Sequence, residues 1–156
     1  MFRPAINLRV GGFVAVATLL FAACDGGLAP PVDTEPGVLA GEITYVGTWP
    51  DQSEIQDLRF VALRFVPQDT ADFLQLNRLI ASDPLTYGVD SESFVIRDVD
   101  PGVFPFSGVA RRESTDLFSW GPLGLYETND GIIEVGAGDS VHITILVNLD
   151  VLPDFP

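Results

Sequence analysis

The sequence predicts an all-β protein: an antiparallel sandwich of about seven strands with one short helical insertion. Two observations carry that expectation. From Val38 onward, apolar runs of strand length recur at sandwich spacing, and Gly, Pro, Asp and Asn clusters punctuate them. Only between Pro67 and Tyr87 does the strand signal fail, and the helical spacing there is brief.

The first 23 residues stand apart from this fold. Met1 to Arg9 carries two Arg and no acid, and Val10 to Ala23 is apolar or small with Thr18 as its one polar residue. That apolar run of 14 residues, about 21 Å as a helix, is short of the roughly 20 residues a bilayer span requires. A positive segment followed by a short apolar one reads as a signal peptide. Residues 24–37 hold three Pro, three Gly and three acids with little to bury, so they read as a flexible tether. The expected domain is 38–150, and 151–156 is a C-terminal tail.

Within the domain, Val38 to Val46 places Leu39, Gly41, Ile43 and Tyr45 on one face, and Leu58 to Val66 sets Leu58, Phe60 and Ala62 against Val61, Leu63 and Phe65. Neither alternation is clean, which predicts strands partly covered on both sides. Thr70 is placed to cap a short helix over Ala71 to Leu79, where Phe73, Leu76 and Leu79 or Ile80 recur at helical spacing. Ser93 to Val99 and Phe104 to Arg112 flank Asp100-Pro101-Gly102 and read as a hairpin, with Pro105 delaying pairing in the second arm. Leu123 to Tyr126, Gly131 to Val135 and Ser140 to Leu149 complete the set. In the last of these, Val141, Ile143, Ile145 and Val147 alternate with His142, Thr144, Leu146 and Asn148, so His142 is expected to point away from the core.

Charge excludes one class of partner. The 156 residues hold 22 Asp plus Glu against 8 Lys plus Arg, a net charge of −14. Without residues 1–23 the count is 22 acids against six Arg and no Lys, or −16, a balance that resembles proteins of saline habitats. Such a surface repels phosphate backbones, so no nucleic-acid partner is expected. One Cys and one His supply neither an internal disulfide nor a structural zinc site, and no cofactor is expected.

Leu20-Phe21-Ala22-Ala23-Cys24 resembles the bacterial lipobox, with Phe21 where Leu is usual. The resemblance implies that Cys24 is lipidated and becomes the mature N-terminus. The chain would then be anchored to the lipid bilayer by acyl chains, on the periplasmic or outer surface of a bacterial cell envelope. Gly41-Glu42-Ile43-Thr44-Tyr45, Asp100-Pro101-Gly102-Val103-Phe104 and Val135-Gly136-Ala137-Gly138-Asp139-Ser140-Val141 resemble turns and strands of prealbumin-like, carboxypeptidase-regulatory-like domains of secreted bacterial proteins. That resemblance implies an immunoglobulin-like or prealbumin-like sandwich and carries over no catalytic residue.

Candidate sites are few. A Ser-His-Asp hydrolase has only His142 to draw on. Asp90 with Glu92, and Asp98 with Asp100, are carboxylate pairs at turns, either calcium ligands or solvated acids. Trp49, Phe118, Trp120 and Tyr126 lie in or beside loops, either as a sugar-stacking set or as plugs for the ends of the sandwich. Arg111 and Arg112 are expected to pair with Glu113 and Asp116. The expectation is a non-catalytic accessory or interaction module contacting an unknown envelope protein. The alternative is a carbohydrate-binding module that captures glycans for an uptake system.

Overall fold

The computed structural model describes residues 35–153. Residues 1–34, Cys24 among them, and residues 154–156 lie outside the described part, as do the expectations that fall on them. The described residues form one compact unit.

Nine strands fold as an all-β sandwich. They are β1 (Gly37–Val46), β2 (Asp57–Leu63), β3 (Leu79–Ala81), β4 (Ser91–Val99), β5 (Gly102–Phe104), β6 (Phe106–Arg112), β7 (Trp120–Leu125), β8 (Ile133–Val135) and β9 (Ser140–Asn148). One sheet runs β4-β1-β9, the other β3-β2-β6-β7, and a β5-β8 ribbon closes one end. Pairing is antiparallel except between β1 and β9, which lie parallel from Val38↔Ser140 to Val46↔Asn148. The first and last strands of the domain are therefore neighbours.

The core lies between the two larger sheets. Leu39, Ile43 and Tyr45 of β1 face Phe60, Val109 and Leu123, and β9 adds Ile143, Ile145 and Val147, with Val141 partly buried. The Phe60 and Phe94 rings stack with centroids 4.2 Å apart. Gly41 makes room for this stack, since a Cβ there would sit 2.7 Å from the Phe94 ring. Each such aliphatic or aromatic side chain contributes roughly 1.5–3 kcal/mol by burial.

The two-sided cover expected of the first strands is most complete in β2. Leu58, Phe60 and Ala62 enter the main core, while Val61 and Leu63 join a second cluster with Phe73 and Ala110 on the outside of the sheet. β1 buries one face fully and is partly covered on the other, at Val38, Ala40 and Thr44.

Three sequence expectations shift. The hairpin across Asp100-Pro101-Gly102 does not form: β4 pairs with β1, whereas β6 pairs with β2 and β7 in the other sheet. Arg64, just past β2, holds this crossing. Its guanidinium donates to the carbonyls of Asp100 (2.6 Å) and Pro101 (3.1 Å) and lies 4.7 Å from the centre of the Phe104 ring. Gly102 lets Arg64 in, because a Cβ there would overlap Arg64 Nη1. Pro105, which has no N–H to donate, separates β5 from β6, and the pairing with β2 starts at Phe106.

The helical insertion is two 3-10 turns, Thr70–Leu74 and Leu76–Arg78, capped by Asp69 and not Thr70. Asp69 Oδ1 accepts from the N–H groups of Ala71 and Asp72. Gln75, with φ −77° and ψ 66°, breaks the helix. Phe73 is then buried, Leu76 exposed, and Leu79 and Ile80 extended in β3, so the spaced apolar residues do not share one helical face. The strand expected from Gly131 starts instead at Ile133. Asn129, Asp130 and Gly131 take positive φ (55°, 55° and 77°), a turn that Asn, Asp and Gly tolerate best.

Candidate functional site

β1, β6 and β9 finish at the end of the sandwich opposite Gly37, and β2, β4 and β7 start there. The connections 47–56, 82–90 and 113–119 build this end.

The first two connections are held by aromatic rings. Trp49 packs against Tyr45 (centroids 4.6 Å apart) and Tyr87 (5.1 Å). Its indole N–H donates to the Val89 carbonyl at 3.2 Å, and the Tyr87 hydroxyl donates to the Pro50 carbonyl at 2.6 Å. Both polar handles are used within the chain, and Trp49 is half-buried against the main core. The Tyr45 hydroxyl donates to Glu92 Oε1 at 3.2 Å, and Glu92 also accepts the Thr86 N–H at 3.0 and 3.1 Å. Burial, then the Glu92 charge, then this hydrogen bond push the Tyr45 phenol well above its ordinary value. It stays a neutral donor and serves as no base.

The third connection braces itself. Ser114 Oγ accepts the Asp116 N–H (3.2 Å), Asp116 Oδ1 accepts the Phe118 N–H (3.0 Å), and Ser119 Oγ accepts from Ser114 N and donates to the Asp116 carbonyl. These are side-chain turns of the Ser and Asx kind. At the tip of this braced loop, Leu117 and Phe118 stand 57% and 55% exposed. Beside it, Ser53, Glu54, Glu113, Ser114 and Ser119 line an open cleft of roughly 480 Å³.

Two arginines support the loop from β6. Arg111 Nη2 donates to Glu113 Oε1 at 2.7 Å, with the Arg111 side chain only 11% exposed. Arg112 instead lies over Trp120, 5.8 Å from the ring centre, and Asp116 makes no ion pair with either. Arg111 Nη1 and Arg112 Nε are buried with no hydrogen-bond partner among the described residues.

The four candidate aromatics do not form one platform. Trp49 stands with Tyr45 and Tyr87, Trp120 packs on the outer cluster of the second sheet, and Tyr126 packs on the main core. Tyr126 follows β7 at the other end of the sandwich, where its N–H donates to the Ser107 carbonyl. Phe118 alone is largely exposed, and its companion Leu117 was not singled out from the sequence. The spacing Ser114, Asp116, Ser119 was the available signal for a braced loop.

His142 is exposed in the middle of β9, flanked on the neighbouring strand by Ala40, and makes no side-chain hydrogen bond to a described residue. Of the carboxylate pairs, Glu92 is engaged by Tyr45 and Thr86, and Asp98 sits at φ 56° in the irregular end of β4. No cluster of three or more metal-ligating side chains forms among the described residues. Nor is any described helix long and apolar enough to cross a membrane.

Comparison with protein-family models, curated proteins and solved structures finds no match to this chain.

Proposed function

We propose that the chain is a non-catalytic lipoprotein of the bacterial cell envelope. Acyl chains on Cys24 hold it to the bilayer, residues 24–37 tether a prealbumin-like, carboxypeptidase-regulatory-like domain, and the 113–119 loop contacts an envelope protein. The observation that carries this reading is the Leu117-Phe118 tip. Two adjacent large apolar side chains on a loop held by four internal polar bonds are an ordered contact surface, and a partner gains their burial without first ordering the loop.

A second reading, glycan capture, draws on the cleft of hydroxyls and carboxylates beside Phe118. Sugar binding at Trp49 has less support, because its N–H and the Tyr87 hydroxyl are already engaged.

A photo-crosslinking side chain at position 118 of the full-length, membrane-bound protein tests the reading. A discrete protein adduct at 118, absent when the same group replaces exposed Leu152, is the expected result. Glycan adducts alone favour the second reading. No difference between the two positions overturns both.

A further inference from the structure

β9 is the outer strand of the β4-β1-β9 sheet, and its bonds to β1 determine which backbone groups remain free. The Val38 N–H donates to the Asp139 carbonyl and the Leu149 N–H to the Val46 carbonyl, with an unbroken parallel register between them. In that register the odd-numbered residues of β9 turn their N–H and C=O groups toward β1. Ser140, His142, Thr144, Leu146 and Asn148 therefore turn theirs outward. Among the described residues, only the Asn148 carbonyl of this row has a backbone partner, the Val151 N–H at 3.2 Å.

An open row of this length is a template for another strand, and natural edges are usually blunted by charge, Pro or a bulge. The opposite edge is blunted in this way. β4 carries Glu92, Arg97 and Asp98, and its register with β1 slips where Asp98 takes φ 56°. β9 has no such device. Ser140–Asn148 contains no Asp, Glu, Arg, Lys, Pro or Gly, in a chain whose other surfaces are rich in acid.

We propose that β9 is the seam of a homodimer: two copies pair their β9 strands antiparallel about a two-fold axis at Thr144, joining two three-stranded sheets into one of six strands. The sequence is self-complementary in that register. Thr144 meets Thr144 of the other copy, His142 meets Leu146, and Ser140 meets Asn148. Every pair is uncharged, and Thr–Thr is a favourable cross-strand pair. Leu146, 65% exposed in the single chain, gains a neighbour.

Charge selects this occupant and this place. Two copies of so acidic a chain repel each other over most of their surfaces, and the nine residues of β9 are where they approach without opposing carboxylates. The arrangement also suits a shared membrane, a point that rests on the tether reading. The two Gly37 ends lie about 30 Å apart along the strands, and residues 24–37 reach about 45 Å when extended.

Sedimentation velocity of residues 33–156, a unit whose core is made by its own residues, tests the seam in salt of about 0.15 M, where the Debye length is about 8 Å. A monomer–dimer equilibrium at micromolar concentration is expected. Thr144→Lys sets like charges opposite each other across the axis while leaving the single chain a neighbouring Glu42, so that variant is expected to be monomeric. Val95→Lys, the same kind of change on exposed β4, is expected to dimerise as the unaltered chain does. Amide exchange gives an independent readout that needs no variant: the N–H groups of His142, Thr144 and Leu146 slow as concentration rises. A chain monomeric throughout, equal effects of the two substitutions, or edge amides that exchange alike at all concentrations overturns the proposal. So does pairing of β9 with a foreign peptide strand only.

Discussion

Tyr45 on β1 reaches across to Glu92 on β4, its hydroxyl 3.2 Å from the Glu92 carboxylate, and the same carboxylate holds the Thr86 N–H. One buried phenol thus links two strands to the connection 82–90.

This contact predicts a dependence on alkaline pH. The folded phenol ionises well above its ordinary value, whereas the unfolded one ionises at about 10. Its contribution is therefore fully present below pH 10 and declines as pH rises further, because only the unfolded chain releases the proton. The chain has no Lys to obscure this limb. In urea unfolding, Tyr45→Phe is expected to flatten the loss of stability between about pH 9 and pH 11. Parallel curves for the two proteins would show that the phenol ionises freely in the fold.

Packing across the sandwich gives a second prediction. A Cβ at Gly124 would lie 2.8 Å from Val147 Cγ2, while one at Gly121, on the same strand, meets nothing within 4 Å. Gly124→Ala is expected to cost about 1–3 kcal/mol by overpacking. Gly121→Ala is expected to be neutral or mildly stabilising, since it restricts the unfolded chain. Denaturant midpoints of the pair decide it, and equal shifts would place β9 elsewhere.

The last strand gives a third. Ile143 is buried and His142 exposed. Ile143→Ala is expected to cost about 2–5 kcal/mol, and His142→Ala to stay within about 0.5 kcal/mol. A large loss for His142→Ala would mean that the one histidine of the domain is engaged, and would reopen a catalytic reading.

Local pattern made the strands legible, and long-range partners stayed hidden. Alternation alone placed Val141, Ile143, Ile145 and Val147 inside and His142 outside. It said nothing of the parallel partner, because Val38 and Ser140 are 102 residues apart and either edge of β1 accepts a strand. Asp100-Pro101-Gly102 has the chemistry of a tight hairpin, yet it serves a crossing between sheets, and the deciding residue, Arg64, lies far away in sequence. Phe73, Leu76 and Leu79 misled for a related reason: tertiary demand for Phe73 in the outer cluster and for Leu79 in β3 outweighed a weak helical period. At the candidate site, Phe118 was legible as a loop aromatic. Leu117 was not, because nothing local marks a side chain as exposed until the hydrogen bonds of its loop are known.

The proposed membrane tether at Cys24 is open to a direct test by intact mass spectrometry of the protein extracted from its native membrane. The predicted species lacks residues 1–23 and carries acyl mass on Cys24. A soluble mature chain that starts elsewhere, with Cys24 absent or unmodified, would contradict it.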